Sequence, residues 1–357
     1  SHFSAKLRGY LNYKRVEFQE KDASLYDLLW RIPRGIGVSA MPALRDNRGK
    51  WLGDTTLFIE ELERRHPSQP ITVTAPRQLL ATLLMENWFD DFWLPVSLHT
   101  RWSYPENWRQ LHKLEWGRSF VPHASPFLGQ LLAGAIAKRA MVKGLVAMGI
   151  NTKQYPLLEH WSLYHIDVLE QHFSTHRYLL GNRPTIADFA CLGTMYAHLN
   201  RDPWPKREWL ANKSNLKSWI MRAHSGESEP GDLLANDELP NSLTPQLKGI
   251  FAELFAYAVA TAEEIKKLVD KKGLQSGDAL PRVVASIAYP MQDREYVRQP
   301  FTYTIWRLQR MQSIYRSLPE KDRTAVDGWC KAMVNPGFFS MDLGVALQRD
   351  GLGAVLA

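Results

Sequence analysis

The chain has 357 residues, of which 45% are hydrophobic and 23% charged, so it is long enough for two or three domains with real cores. Its formal net charge is +7, but acidic residues interleave the basic ones, which favours a mixed, solvated surface over a nucleic-acid-binding surface. No run of about 18 uncharged apolar residues is present, so we expect no membrane span. The two cysteines, Cys191 and Cys330, lie too far apart in sequence to suggest a disulfide framework, and a reducing cytoplasm fits best.

The first part of the chain alternates helical and extended signals. Leu7, Tyr10 and Leu11 recur at helical spacing, which predicts an amphipathic helix from Ser4 to about Tyr13. The further predictions are a short strand over 16–19, a helical or irregular stretch over 26–32, a hairpin joining 43–45 to 50–52, and a helix from Thr55 to about His66.

A proline-rich segment, from Pro67 to Pro76, is typical of a linker. A helical pattern follows, from Leu79 to about Met221, and within it Thr185 and Asp188 have the spacing of a capping box, a folding element at a helix start. Large aromatic residues early in this part are either core or the lining of a pocket: Trp88, Phe89, Phe92, Trp93, Trp102 and Tyr104.

A polar break over residues 225–232 ends the helical part. The rest of the chain has the length of a small domain. Its patterns predict a long amphipathic helix over 247–262, a second helix over 305–318, and a possible strand over 283–288.

Four motifs together resemble the cytosolic glutathione S-transferase family, with a serine-type loop, as in long bacterial members with a C-terminal extension. They are Ser1 to Arg8, Met41-Pro42, Asp54-Thr55, and Thr185 to Asp188. The resemblance implies an α/β thioredoxin-like N-terminal domain followed by an all-α domain and a mostly helical extension. It implies domains at 1–68, 78–224 and 225–357, with a linker at 69–77, and a first strand apparently missing before Ser1.

In this resemblance Ser1 is the catalytic residue. Its hydroxyl would hydrogen-bond the sulfur of glutathione and favour the thiolate, which is the nucleophile. His2 follows where a proline or small residue is common, and it would add a donor to glutathione. An alternative without a ligand is equally open, because serine at a helix start is also an ordinary cap.

The resemblance assigns the remaining glutathione contacts to two short motifs. Met41-Pro42 matches the cis-proline site, where the Met41 backbone would pair with the cysteinyl backbone of glutathione. Asp54-Thr55 matches the site of the γ-glutamyl group, since helix N-termini favour anions. The alternatives are a proline that starts a strand and a plain N-cap pair.

The histidines at 160, 165, 172 and 176 suggest a metal site only weakly. His172 and His176 share a helical face, but no HExxH motif or third carboxylate ligand accompanies them. We therefore expect packed or hydrogen-bonded histidines and no metal.

The favoured function is that of a glutathione transferase, with glutathione as co-substrate, a small hydrophobic electrophile as second substrate, and a possible homodimer. The alternative is a non-catalytic protein of the same fold that serves in binding or assembly. A hydrolase that uses Ser1 lacks any nucleophile-elbow glycine pattern.

Overall fold

The computed structural model describes residues 1–122, 125–227 and 231–357. The predicted polar break at 225–232 therefore lies partly outside the described residues. The helices are α1 His2–Tyr13, α2 Ile32–Ile36, α3 Thr55–Arg65, α4 Pro76–Ser103, α5 Pro105–Asn107, α6 Lys113–Phe120, α7 Pro126–Ala147, α8 Tyr155–Phe173, α9 Ile186–Thr194, α10 Pro203–Glu208, α11 Ser214–Ser225, α12 Thr244–Lys272, α13 Thr302–Ser317 and α14 Glu320–Ala332. The strands are β1 Leu44–Arg45, β2 Trp51–Leu52, β3 Ile287–Met291, β4 Arg294–Arg298, β5 Leu347–Asp350 and β6 Gly353–Leu356.

Three π-helical and three 3-10 segments complete the secondary structure of the described residues. The π-helical segments are Asp27–Arg31, Trp108–His112 and Met195–Asn200. The 3-10 segments are Ala235–Asp237, Asn241–Leu243 and Phe338–Ser340.

The N-terminal part contains the predicted helix α1, the antiparallel hairpin β1–β2 and the helix α3. The strand predicted over 16–19 is wrong, since these residues are irregular. Arg15 has a positive φ of 53°, and the Val16 N–H bonds the Leu11 carbonyl at 3.0 Å, so the chain turns off the end of α1. An extended segment becomes a strand only when a neighbour pairs with it, and none does so here among the described residues.

Helix α1 lies directly against α9 of the helical part. A Cβ atom at Gly9 would stand 2.4 Å from Leu192 Cδ2 and 3.0 Å from the Ala223 carbonyl oxygen, so glycine permits the close approach of three helices. The buried faces of α1 and α9 meet through Tyr10 and Phe189, whose ring centroids are 5.8 Å apart. The N-terminal part is thereby fixed to the helical part.

A capping box begins α9, formed by Thr185 and Asp188. The Asp188 carboxylate accepts the Thr185 N–H at 2.9 Å on one oxygen and the Leu179 N–H at 2.9 Å on the other. Burial raises the pKa of Asp188 to about 6, because these hydrogen bonds only partly offset the loss of water. Asp188 is therefore a buried structural residue that caps α9.

The C-terminal extension packs onto the helical part through α12 and α13, both of which contact α4. The predicted helices over 247–262 and 305–318 are confirmed as parts of α12 and α13. The predicted strand begins later than expected: β3 spans Ile287–Met291 and pairs antiparallel with β4, with Tyr289 opposite Tyr296. A glycine turn separates β5 from β6, which form a third hairpin.

One apolar core runs through all three parts of the chain. Buried members extend from Leu7 in α1, through Trp88 in α4 and Phe251 in α12, to Leu356 in β6. None of the helices in the described ranges combines the length and the apolar character that crossing a membrane requires.

Candidate functional site

A cavity of about 220 Å³ lies where the N-terminal part, α4 and the extension meet. Its lining residues are Phe3, Ser39, Ala40, Met41, Pro42, Gly53, Asp54, Thr55, Thr56, Asp90, Asp91, Leu94, Arg282, Phe301, Tyr303, Thr304, Arg307 and Leu352. Four of the six residues that the sequence assigned to catalysis and glutathione binding therefore line one cavity. The extension supplies a wall of the same cavity that the sequence did not anticipate.

Ser1 lies at the start of α1, next to this cavity and in contact with its wall. Its hydroxyl accepts the Ser4 N–H at 3.3 Å, which makes it the N-cap of α1, and it also donates to the Met41 carbonyl at 3.3 Å. A second hydroxyl, that of Ser4, is 2.7 Å away. Both interpretations of Ser1 thus have a structural basis, the cap directly and the thiol contact through its proximity to Met41.

His2 is buried in the contact between α1, α4 and α9. Its Nδ1 lies 2.9 Å from the Thr194 hydroxyl and its Nε2 lies 3.6 Å from Asp90 Oδ1. Burial lowers the pKa of His2, although Asp90 opposes this effect, so the ring is neutral at neutral pH. These contacts are those of a packed histidine, and His2 is not among the residues that line the cavity.

The Met41–Pro42 peptide bond is cis and forms one rim of the cavity. The Met41 carbonyl accepts a hydrogen bond from the Ser1 hydroxyl. The backbone N–H of Met41 has no hydrogen-bond partner within the described ranges. Met41 as a residue is exposed at this rim.

Asp54 is the N-cap of α3. One carboxylate oxygen accepts the Thr56 N–H at 2.9 Å and the Leu57 N–H at 3.2 Å. The other oxygen accepts the hydroxyl of Tyr303 from the extension, and Arg349 Nη1 lies 3.8 Å from it. The extension therefore contacts the carboxylate that the resemblance placed at the site of the γ-glutamyl group.

Thr55, the first residue of α3, is 6% exposed and lines the cavity. Neither its hydroxyl nor its backbone N–H bonds to another group in the part of the chain that the structure describes. A helix N-terminus carries a partial positive charge, so these two donors and the dipole favour an anion at this point.

A buried network of charges reaches the cavity wall through Thr56, Asp90 and Arg307. Lys6 Nζ is 2.7 Å from both Glu86 Oε1 and Asp90 Oδ2, and it is 3.2 Å from the Thr56 hydroxyl. From the extension, Arg307 lies 3.0 Å from Asp90 and 3.4 Å from Glu86.

Two carboxylates are thus balanced by two cations. Burial alone would raise the pKa of Glu86 and of Asp90, but Lys6 and Arg307 outweigh it and hold both below their ordinary values. The sequence analysis did not identify this network. Its signal was present, because Glu86 and Asp90 are spaced i, i+4 among large apolar residues of α4.

The aromatic residues considered for the pocket lie mainly in the core. Trp88, Phe89, Phe92 and Trp93 are at most 1% exposed, and none of them lines the cavity. They pack against one another and against Trp161. The apolar side chain that α4 provides to the cavity is instead Leu94.

The histidines of α8 have ordinary surroundings. His172 hydrogen-bonds Ser242 at 2.8 Å and the Tyr178 carbonyl at 3.1 Å, and its ring stacks on that of His176. His165 is buried among Trp88 and Trp161. Across residues 1–122, 125–227 and 231–357, no three His, Cys, Asp or Glu side chains stand in an arrangement suited to a metal ion.

Comparison with solved structures gives glutathione S-transferases from three bacteria. The protein from Methylobacterium radiotolerans, solved in complex with glutathione sulfonate, is 18% identical, with a TM-score of 0.38 over 66% of this chain and 94% of that chain. Those from Rhodospirillum rubrum and Xanthobacter autotrophicus are 16% and 17% identical, each with a TM-score of 0.36. Their alignments cover 68% and 66% of this chain and 93% of each of those chains.

A search of curated proteins found no match. The glutathione S-transferase N-terminal domain family matches residues 1–70, the part that contains Ser1, Met41-Pro42 and Asp54-Thr55. The resemblance predicted from the sequence motifs is thereby confirmed for residues 1–70, which match the glutathione S-transferase N-terminal domain family.

Proposed function

We propose that this chain is a glutathione S-transferase-like protein that binds glutathione in the cavity beside α3. The observation that carries the proposal is Thr55, which lines the cavity at the start of α3 and whose hydroxyl and N–H have no hydrogen-bond partner among the described residues. Donors that the protein leaves unpaired at a helix N-terminus suit a carboxylate ligand. The γ-glutamyl carboxylate is the group that we assign to it.

The rest of glutathione then extends along the cavity towards Ser1. The open N–H of Met41 pairs with the cysteinyl backbone, as in the addition of a strand. This places the thiol near the Ser1 hydroxyl, which lies 3.3 Å from the Met41 carbonyl. A hydroxyl donor and the positive end of α1 both stabilise the thiolate.

In the proposed reaction, the thiolate attacks a small electrophile held between the N-terminal part and the helices. The sulfur lone pair forms the new C–S bond, and the electrophile's leaving group departs with its bonding electrons. The apolar walls provided by Phe3, Leu94 and Phe301 suit a hydrophobic substrate.

The test is calorimetric titration of glutathione into the full chain and three variants. Thr55→Val removes one hydroxyl at nearly constant volume and is expected to weaken binding about tenfold, the value of a charge-assisted hydrogen bond. Ser1→Ala is expected to retain binding but to lose the ultraviolet absorbance of the bound thiolate. The matched control Thr324→Val lies on the exposed face of α14 and should bind like the wild type. If the folded wild type shows no saturable binding at millimolar glutathione, the proposal is wrong.

A second candidate function, a non-catalytic binding or assembly protein, is favoured by one observation. The Tyr303 hydroxyl already bonds Asp54 Oδ2, so part of the glutathione-binding surface is held by the chain itself. Turnover of a chloronitrobenzene with glutathione distinguishes the two, since a non-catalytic protein gives no conjugate even when glutathione binds.

A further inference from the structure

A second cavity, of about 340 Å³, lies on the other side of the helical part, between α8, α12 and the β3–β4 hairpin. We call it the α8–α12 cavity. It is lined by Tyr164, His165, Gly249, Glu253, Pro290 and Gln292, together with two small residues of α12. None of its residues lines the cavity beside α3.

Glu253 is the charged side chain of this cavity and is only 2% exposed. Its Oε1 accepts the Trp161 indole N–H at 2.8 Å and the Gln292 backbone N–H at 3.2 Å. Its Oε2 accepts the Trp88 indole N–H at 3.2 Å. A carboxylate offers about four acceptor positions, so one position on Oε2 is left for a further donor.

All three donors to Glu253 are neutral. Among the residues that the structure describes, no lysine, arginine or histidine lies within ion-pair distance of it. Arg298 of the β3–β4 hairpin is committed to Asp91 at 2.7 Å, and it also bonds the titratable Tyr289. On α8, burial lowers the pKa of His165 to about 3, so this ring adds no positive charge at neutral pH.

A buried carboxylate without a countercharge is costly, and burial accordingly raises the pKa of Glu253 to about 7. The three N–H groups nevertheless point to it as they would to an ionised carboxylate. The site is therefore arranged for a negative charge that the described protein does not neutralise.

Aromatic rings surround this carboxylate. The His165 ring is 4.8 Å from that of Trp88, 4.5 Å from that of Trp161 and 5.0 Å from that of Tyr164. Tyr164 itself is 40% exposed and lines the cavity, so its ring is available to a ligand that enters from solvent. Electron-rich ring faces attract cations, and the attraction grows where water is excluded.

We propose that the α8–α12 cavity binds a small organic ammonium ion, whose charged nitrogen donates to Glu253 Oε2 and whose apolar part lies against Tyr164. The cavity volume suits a molecule of a few carbon atoms or a single ring. The two cavities share no lining residue, so this proposal does not rest on glutathione binding.

The experiment is calorimetric titration of benzylammonium chloride, with benzyl alcohol as its neutral isostere, into the full chain. Phosphate buffer at mildly alkaline pH is used, because amine buffers compete and because Glu253 must be ionised. We expect the cation to bind at least about tenfold more tightly than the alcohol, which corresponds to about 1.4 kcal/mol. Glu253→Gln should abolish this preference, whereas the matched control Glu263→Gln, exposed on the same helix, should retain it.

A second measurement avoids dependence on the folding of a variant. In the wild type, the indole N–H resonances of Trp88 and Trp161 report directly on Glu253, because both donate to it. Both are expected to shift with benzylammonium and to remain unchanged with benzyl alcohol. Equal binding of the two probes, no binding of either, or unchanged indole resonances would overturn the proposal.

Discussion

Asp54 is shared between two elements that lie far apart in sequence. One of its oxygens caps α3, and the other accepts the Tyr303 hydroxyl of the extension. Burial and the neighbouring Asp54 carboxylate raise the pKa of Tyr303, so the phenol stays protonated and continues to donate. A ligand amine that uses Asp54 must therefore compete with this phenol.

Tyr303→Phe tests this competition at the residue scale. The substitution removes the hydroxyl and keeps the ring, so Asp54 Oδ2 becomes available to the glutathione amine. We expect glutathione affinity to rise several-fold, about the value of one hydrogen bond to a charged group. Asp54→Asn, which keeps the cap but removes the charge, should lower the affinity. Calorimetric titration that gives equal affinities for wild type and Tyr303→Phe would show that Asp54 does not contact the ligand.

Glu253 gives a second prediction at this scale, on stability against pH. Its pKa is raised from 4.5 to about 7 on folding, so between these pH values the folded state binds more protons than the unfolded state. The contribution of Glu253 to the free energy of unfolding therefore falls by up to about 3 kcal/mol as the pH rises through this range. Urea unfolding at pH values near 5 and 7 should show a smaller difference for Glu253→Gln than for wild type. A pH dependence identical in the two proteins would rule out this titration.

At the scale of elements, α13 joins the extension to the cavity beside α3 through Arg307. The guanidinium is one of two cations that balance Glu86 and Asp90 in a buried network. Burial would lower the pKa of Arg307, but these two carboxylates raise it, so the group stays charged. Docking of α13 thus completes a charge balance that begins in α1 with Lys6.

Arg307→Met is expected to destabilise the protein by about 3–5 kcal/mol, because it leaves a buried negative charge uncompensated. The matched control is Arg310→Met, one turn along α13. Arg310 pairs with Glu60 at the surface, where an ion pair is worth about 0–1 kcal/mol. Chemical unfolding of both variants checks the prediction, and similar losses for the two would contradict it.

The contact between α1 and α9 gives the second prediction at this scale. Gly9→Ala places a Cβ atom 2.4 Å from Leu192 Cδ2 in a fully packed region and should cost about 1–3 kcal/mol. Gly144→Ala in α7 is the opposite case, because a Cβ there meets nothing within 4 Å. It should stabilise by about 0.5–1 kcal/mol through helix propensity. Thermal unfolding midpoints that move in the same direction for both variants would refute the packing argument.

At the scale of the whole molecule, the extension belongs to the same core as the rest of the chain. The buried cluster runs from α1 to β6, and Asp91 of α4 is held by Arg298, Tyr257 and Thr304 of the extension. Without the extension, three buried carboxylates of α4, namely Glu86, Asp90 and Asp91, would lose cationic or hydroxyl partners. We therefore expect the extension to be needed for folding, irrespective of its role in binding.

Two measurements check this prediction. Calorimetric unfolding of the full chain should give one cooperative transition, since the parts share one core. A chain ending at residue 227 should lack the near-ultraviolet circular dichroism of packed aromatic residues. A soluble truncated chain with a native near-ultraviolet spectrum would show instead that the extension is an independent unit.

Local sequence patterns were sufficient for most of the elements. Helix α1, the β1–β2 hairpin and the start of α3 at Thr55 were predicted because their signals are confined to a few residues: helical spacing, a turn sequence and a cap. The strand expected over 16–19 failed because pairing depends on a distant neighbour, which a local pattern does not contain.

The sequence motifs predicted the family resemblance and four of the residues that line the cavity beside α3, because each motif joins residues that are close in the chain. The wall that the extension adds to this cavity depends on the packing of distant segments, so local patterns did not reveal it. Asp54 meets Tyr303 across 249 positions, and Asp90 meets Arg307 across more than 200. Such contacts follow from burial and charge balance between packed helices, and no periodicity within either segment encodes them.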